Sequence, residues 1–568
     1  MSDHPWIKSY PPGMRWDLPL APQPVQQLLD ETAAQWPEKP ALNFMGKRTT
    51  YRELQALANR VAKGLQQLGV GPGVHVGLFL PNTPHYLIAF FGVLKAGGTV
   101  VNYSPLDAAK VLEHKIEDSR TDLLITLDLA ALYPQMAAML GRTRLKKLIV
   151  GSLAEMSAVP ATVAAQMQAA QQLAPVAHDA QHQSFAALID NDGRYAPHAM
   201  PDPADTLAVL QYTGGTTGLP KGAMLTHGNL SAACAQAWET VGGGDAPLMV
   251  EGQERFLAVL PPFHIYALTA NMLLAVRAAA EIVLHTRFDT QAVLQDIVAK
   301  KISCFPGVPT MFSALLAHPQ LAEYDLTSLK HCGSGGAPLP VEVAQRFDAA
   351  TGCKLSEGWG MTETSPTGTF TPVHAGRRDG SCGVPNPGIE IKMLSLDDPT
   401  RYVESGERGE MCIRGANVMK GYWNNPQATA DVTTFDGFMR TGDVALMDED
   451  GYVFIVDRCK DMLLCSGYNV YPRVLEEAIY QHPSVGEVCV IGIPDDYRGQ
   501  SPKAFLTLKA GAAPFTLAEL QAFLKDKLGK HEQVQALEIR QELPKTAVGK
   551  LSKKDLQDEE KRKQATPA

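Results

Sequence analysis

The sequence predicts an α/β fold: a large N-terminal domain built on mostly parallel sheets, followed by a small C-terminal α+β domain. Three observations lead there. Helical and strand-like segments alternate through the first hundred residues, no repeat of solenoid length interrupts them, and the texture changes near residue 460. The boundary is placed there, giving domains of residues 1–459 and 460–568.

Taken in order, residues 50–69 predict a helix. Thr50 and Glu53 form a capping-box pattern, Leu54, Leu57, Ala58, Val61, Leu65 and Leu68 mark one face, and Gly69 ends it. Val74, Val76, Leu78 and Leu80 alternate as a strand closed by Pro81-Asn82. A helix over about 84–96 and a strand at Val100-Val101 follow. Residues 154–188, rich in Ala and Gln, read as a helical surface elaboration, with a flexible loop as the alternative. Beyond 460 a helix is expected over 474–482, strands over Glu487–Ile493 and Lys503–Lys509, and a helix over Thr516–Leu528 with its own Thr516/Glu519 capping box. The mixed-charge end, from Asp555 to Ala568, is expected to fray.

Composition narrows the function. A net charge of −9 argues against a general nucleic-acid binder. Nine scattered cysteines without a CxxC pair suit a reducing cytosol better than a disulfide framework or zinc site. No basic-then-apolar leader opens the chain, and the run Tyr86–Leu94 is too short to span a bilayer. A cytoplasmic setting is expected, with peripheral membrane contact left open.

The most informative segment is Leu210-Gln-Tyr-Thr-Gly-Gly-Thr-Thr-Gly-Leu-Pro-Lys221. Its glycines permit positive φ and close backbone approach, and amides, hydroxyls and one lysine can wrap around phosphates. It is not a Walker loop, since Lys221 lies between Pro220 and Gly222. Taken alone, such a turn is as often a plain loop. A second glycine-rich segment, Gly333-Ser-Gly-Gly-Ala-Pro-Leu-Pro340, offers backbone against which a flat ring can lie. Glu357-Gly-Trp-Gly-Met-Thr-Glu-Thr364 adds an aromatic face, a hydroxyl and a carboxylate suited to Mg²⁺ beside phosphates. Thr441-Gly-Asp443 and Val456-Asp-Arg-Cys-Lys-Asp461 bring a carboxylate able to accept from vicinal hydroxyls, and an arginine. Leu543-Pro-Lys-Thr-Ala-Val-Gly-Lys550 places a lysine after a glycine near the C-terminus. Singly, each has a commonplace reading: a core tryptophan, a solvated carboxylate, a surface turn.

Together, in this order, these segments resemble the acyl-adenylate-forming superfamily of acyl-CoA synthetases, luciferases and peptide-synthetase adenylation domains, from about Thr50 to Lys550. The resemblance implies a large adenylation domain and a small mobile one, with ATP and coenzyme A as co-substrates and Mg²⁺ as cofactor. It implies that Thr213, Gly214, Gly215, Thr216, Thr217, Gly218 and Lys221 hold the β- and γ-phosphates. Gly335, Gly336, Ala337 and Pro338, with Glu357, Gly358, Trp359, Gly360 and Met361, would hold adenine, Trp359 standing where relatives usually place tyrosine. Thr362 would contact the α-phosphate, Glu363 would bind Mg²⁺, and Asp443, supported by Arg458, would bind ribose. Lys460 falls on the hinge, and Lys550 on the lysine that serves adenylation. His264 and Tyr266 would border the acyl pocket, and Ser466 and Gly467 the pantetheine tunnel. Where some relatives carry a second nucleotide-contacting lysine, this chain has Leu464.

The local segments look most like bacterial medium- and long-chain fatty acyl-CoA synthetases, including dicarboxylate (pimeloyl-type) ligases. Monocarboxylates therefore rank ahead of diacids and aryl acids. A non-catalytic nucleotide sensor is the rival of another class; it would be expected to lose Glu363 or Lys550. Long-chain relatives often dimerise, so a homodimer is a further expectation.

Overall fold

The computed structural model describes residues 4–200, 202–213, 220–373, 376–466, 468–495, 497–546 and 549–565. Two seven-stranded sheets form most of the large domain. The first runs, in spatial order, His182–Ser184, Lys147–Gly151, Leu123–Leu127, His75–Leu78, Thr99–Asn102, Leu207–Tyr212, Gly222–Thr226. The second runs Leu355–Glu357, His331–Ser334, Cys304–Gly307, Arg255–Ala258, Glu281–Leu284, Pro40–Phe44, Lys47–Thr50. Each is parallel until its last pair, a hairpin that turns back antiparallel. A four-stranded antiparallel sheet, Glu390–Leu394, Gly409–Arg414, Met439–Met447 and Val453–Arg458, completes the domain.

The expected helices and strands of the first hundred residues are present. Tyr51–Gln67 is helical, and its capping box is made: Glu53 N–H donates to Thr50 at 3.2 Å and Thr50 N–H to the Glu53 carboxylate at 2.7 Å. Leu54 and Leu65 are wholly buried, each stabilising the fold by about 1.5–3 kcal/mol. Helix Pro84–Ala96 is buried on every side, so its sequence is almost continuously apolar. Gly92 lets the two helices close together, since a Cβ there would come within 2.4 Å of Val61.

The small domain has a core of its own. Strands Tyr468–Val470, Leu463–Cys465, Gly499–Leu508 and Val485–Asp495 form a sheet, with Ala536–Ile539 parallel to Gly499–Leu508. Helices Pro472–Tyr480 and Leu517–Leu524 bury Leu475, Ile479, Leu520 and Leu524 against it. The second helix carries the expected capping box but stops short of Leu528, where the Gln533 side-chain amide takes the Leu524 carbonyl at 3.3 Å.

Two expectations need correction. Residues 154–188 hold the helix Pro160–Ala169, but also His182–Ser184, an edge strand parallel to Lys147–Gly151. That three-residue strand joins through backbone hydrogen bonds and has no apolar alternation to announce it. The end does not fray from Asp555: Lys553–Ala565 is a helix. Its charges are paired, Glu560 with Lys503 at 2.9 Å and Glu559 with Arg540 at 2.8 Å, and Leu556 is fully buried.

In parallel sheets the strand ends at the carboxyl side leave a crevice for ligands. Here Tyr212, Ser334 and Glu357 all stand at such ends and line one cavity of about 1480 Å³.

Candidate active site

The glycine/threonine segment connects the antiparallel strands Leu207–Tyr212 and Gly222–Thr226, and Thr213 N–H donates to the Lys221 carbonyl at 2.9 Å. Gly214, Gly215, Thr216, Thr217 and Gly218 lie outside the described residues. Thr213 and Lys221 line the cavity, and the Lys221 ammonium lies 4.9 Å from the Tyr422 ring centroid. The Tyr422 hydroxyl in turn donates to Glu363 at 2.7 Å. Thr362 and Glu363 sit in the 3-10 turn Thr362–Thr364, pinned by a 2.8 Å bond from Met419 N–H to the Glu363 carbonyl.

Burial raises the Glu363 pKa, while the Tyr422 bond and the charges of Arg458 and Lys221 oppose the rise. A buried carboxylate with one oxygen already bonded fits a magnesium ion completed by phosphate oxygens and water. Among the described residues no cluster of three or more His, Cys, Asp or Glu is placed to hold a metal ion.

The second glycine-rich segment follows strand His331–Ser334. A Cβ on Gly335 would stand 2.9 Å from the Tyr266 ring, whose hydroxyl donates to the Gly333 carbonyl at 3.1 Å. Gly336 has φ +79°, a conformation only glycine adopts without strain, and a Cβ there would meet Lys550 Cε at 2.8 Å. Ala337 and Pro338 continue the wall. Facing it, Gly358 N–H donates to the Ser334 carbonyl at 3.1 Å, and Met361 N–H to Thr364 Oγ1 at 3.1 Å. Gly360 is forced by space: a Cβ would fall 1.5 Å from the Pro366 carbonyl oxygen. Glu357 accepts Leu339 N–H at 3.1 Å, and burial pushes its pKa up to about 7 against the pull of Arg473.

Asp443 and Arg458 are register partners on adjacent strands of the four-stranded sheet. Arg458 Nε donates to Asp443 Oδ1 at 3.1 Å, and Trp359 Nε1 to Asp443 Oδ2 at 2.8 Å. Lys460, just past that strand, also lines the cavity, and burial, then Arg458, lowers its pKa.

The small domain lines the cavity from helix Pro472–Tyr480, strand Val485–Asp495, the last helix and the turn that carries Lys550. Thr546 N–H donates to the Lys550 carbonyl at 2.7 Å, and Thr310 Oγ1 to the Gly549 carbonyl at 3.0 Å, so Lys550 is delivered over Gly336. Burial, and then Arg458, pushes its pKa down to about 8, with Asp443 opposing. His264 stands across a small void from it. Burial, and then the Lys550 charge, pushes the His264 pKa down to about 3. Its Nδ1 accepts Tyr266 N–H at 3.2 Å, leaving the ring proton of the neutral imidazole on Nε2. Ser466 is not brought to this site. It is exposed on a hairpin at φ +53°, its N–H bonded to the Arg498 carbonyl at 2.7 Å, and Gly467 lies outside the described residues.

The cavity lining also includes Ala237, Thr240 and Val241, on one face of helix His227–Gly242, with Leu248, Ala270 and Leu274. None of these six carries a charge.

Tyr422, Thr310 and Gly368 were missed by sequence reasoning. Tyr422 reaches Glu363 from 59 positions away, and Thr310 reaches Gly549 from 239. Neither lies in a motif, so no sequence signal marked them. Gly368 was findable in principle, as a glycine four positions after the Thr362–Thr364 turn.

Comparison with known proteins gives a consistent result. The model of a family described as "AMP-binding enzyme" matches residues 29–423, and that of "AMP-binding enzyme C-terminal domain" matches residues 474–550. The chain is 39% identical to a long-chain-fatty-acid–CoA ligase of Bacillus subtilis (strain 168), covering 98% of each. It is 35% identical to the enzyme of that description from Escherichia coli O157:H7, again over 98% of each. A feruloyl-CoA synthase of an Amycolatopsis species is 34% identical over 91% of this chain and 95% of that one. Among solved structures, an anthranilate CoA ligase in complex with anthranoyl-AMP superposes with a TM-score of 0.84 at 26% identity, over 97% of this chain and 99% of that one.

Proposed function

The chain belongs to the AMP-binding enzyme family, and on that premise we propose that it activates medium- or long-chain fatty monocarboxylic acids as their coenzyme A thioesters. The observation that carries the reading is one cavity lined by Lys221, Glu363, Asp443 and Lys550 together, with uncharged residues such as Val241, Leu248 and Leu274 also in its wall.

In the first half-reaction a carboxylate oxygen of the acid attacks the α-phosphorus of ATP. The new O–P bond forms as the bridge to the β-phosphate breaks, giving acyl-adenylate and pyrophosphate. Both reactants are anions, so the protein must shield their approach. Lys221 serves the β- and γ-phosphates from the hairpin end, and Lys550 serves the carboxylate and α-phosphate from the other side. Thr362 contacts the α-phosphate, and Asp443 receives the ribose hydroxyls. Glu363 would hold Mg²⁺, which would supply charge neutralisation at the phosphates. Neutral His264, with its proton on Nε2, borders the acid without adding a charge that would compete with Lys550.

In the second half-reaction the thiol of coenzyme A attacks the acyl carbon, the C–S bond forms, and AMP leaves. Ser466 and Gly467 belong to the same small domain as Lys550, and Ser466 lies on an exposed hairpin while Lys550 lines the cavity. Ser466 lying apart from the cavity that holds Lys550 supports reading Lys460 as the hinge about which residues 460–568 turn between the two steps.

The uncharged lining residues Val241, Leu248, Ala270 and Leu274 favour an apolar tail over a diacid, whose far carboxylate would need a polar or cationic anchor. All nine cysteines are free, in keeping with a cytoplasmic setting, and no described helix is long and apolar enough to cross a membrane. The test is coenzyme A-dependent AMP release across short- to long-chain mono- and dicarboxylic acids. A maximum among medium or long monoacids is expected. A maximum among diacids or aryl acids overturns the chain-type assignment, and ATP binding without turnover on any acid overturns the enzyme reading.

A further inference from the structure

Trp359 is held in place more firmly than a ring that merely flanks a base would need. Its backbone is tied to Thr369 in both directions, Trp359 N–H donating to Thr369 Oγ1 at 3.1 Å and Thr369 N–H to the Trp359 carbonyl at 2.9 Å. Its ring packs flush on Gly368, where a Cβ would come within 2.4 Å of Cε3. So fixed, the indole N–H reaches Asp443 Oδ2 at 2.8 Å, from 84 positions away and from the loop that follows strand Leu355–Glu357.

Asp443 is 5% exposed, and Arg458 Nε occupies its other oxygen at 3.1 Å. A carboxylate offers about four lone-pair sites on two oxygens. One fixed donor on each oxygen stops the group rotating and leaves one acceptor site per oxygen. Two acceptors held side by side at the cavity wall match two adjacent hydroxyls.

We propose that Trp359 is a positioning residue which, through its indole N–H, sets the Asp443 carboxylate to accept a vicinal diol and so makes the protein selective for ribonucleotides over 2′-deoxynucleotides. The inference rests on the reading of Asp443 as the ribose-binding group. It assigns to the indole a role that stacking on a base does not require, and to Gly368 the role of making room for it.

The experiment compares ATP with 2′-deoxyATP as substrates of the full-length protein, recording kcat and KM for each at saturating fatty acid. Trp359→Phe keeps an aromatic face and removes the N–H. The expected result is a KM for ATP raised about tenfold, with kcat and the KM for 2′-deoxyATP changed little, so that the preference for ATP falls about tenfold. Gly368→Ala crowds the indole, and also the Trp359 carbonyl oxygen 2.8 Å from the added Cβ, while leaving the ring itself intact; it is expected to reproduce that fall, which keeps the proposal testable should Trp359→Phe not fold. An equal rise in both KM values would reduce the indole to a base-stacking surface and overturn the proposal. Asp443→Ala separates the two layers. If it abolishes the preference while both other variants keep it, the ribose reading stands and the Trp359 role falls. If it leaves the preference intact, the ribose reading falls, and the proposal with it.

Discussion

Lys550 and Lys553 lie three residues apart in the small domain and occupy opposite electrostatic settings. Lys550, on its turn over Gly336, has Arg458 repelling it and Asp443 attracting it too weakly to offset burial, so its pKa is lowered to about 8. Lys553 opens the last helix 3.2 Å from Glu476 and 4.0 Å from Asp457. Burial works against its charge, yet those two carboxylates hold its pKa above the ordinary lysine value. Asp457, next to last in strand Val453–Arg458 of the large domain, also receives Arg473 N–H at 2.9 Å, so this cluster fastens the two domains together. The difference teaches where a cation is free to act. A lysine satisfied by protein carboxylates is a strut, and one left unsatisfied in a cavity is available to an incoming anion.

The sharpest way to break the comparison is Lys550→Ala. Adenylation, measured by pyrophosphate exchange into ATP, should fall by at least about 10²-fold, the scale of removing one transition-state donor. Thioester formation from pre-made acyl-adenylate should survive, and the thermal midpoint should hardly move. Equal loss of both half-reactions would count against the domain-rotation reading. Lys553→Ala should do the reverse, destabilising the protein in urea titrations because two carboxylates lose their counter-charge. Breaking a fully buried pair costs about 3–5 kcal/mol. The Lys553 side chain keeps 22% of its surface open, which puts the expected loss nearer ~2 kcal/mol.

pH sharpens the contrast further. The working form of Lys550 is the ammonium, present below its pKa and lost above it, so kcat/KM for ATP should decline as pH rises through about 8. Well above that value the fall should approach tenfold per pH unit. Lys550→Arg, whose guanidinium stays charged, should flatten that limb even where its absolute rate is lower. Least affected should be Lys509→Ala, which removes a 3.0 Å contact to Glu342 between two partly exposed side chains at the domain boundary. A change of at most about 1 kcal/mol in stability, weaker still in high salt, is expected.

Regular periodicity was legible where burial is one-sided or complete. The capping box at Thr50 and the apolar run Pro84–Ala96 announced their helices because their signals are local. The edge strand His182–Ser184 was hidden, since backbone pairing alone builds it, and the helix Lys553–Ala565 looked like a fraying tail because its charges find partners far away in sequence. The same division runs through the candidate site. Motif residues such as Thr213, Glu363, Asp443 and Lys550 could be named from short-range patterns, and the structure brings them to one cavity. Tyr422 and Thr310 could not, because each acts through a single contact across a long sequence gap. Trp359 stood out as a departure from the usual tyrosine, but its bond to Asp443 exists only in three dimensions.

The undivided cavity also bears on yield. An intermediate made and consumed at one site is lost when bulk water reaches it before the thiol does, or when it escapes into solution and hydrolyses there. The ratio of AMP to thioester released then becomes a leak gauge for the walls. Intact walls hold it near unity, and every AMP in excess records one intermediate hydrolysed. Substitutions at the uncharged lining residues Val241, Leu248 or Leu274 that leave the overall rate alone should still register on that gauge, because an acyl tail that fits poorly leaves room for water beside the reactive carbon.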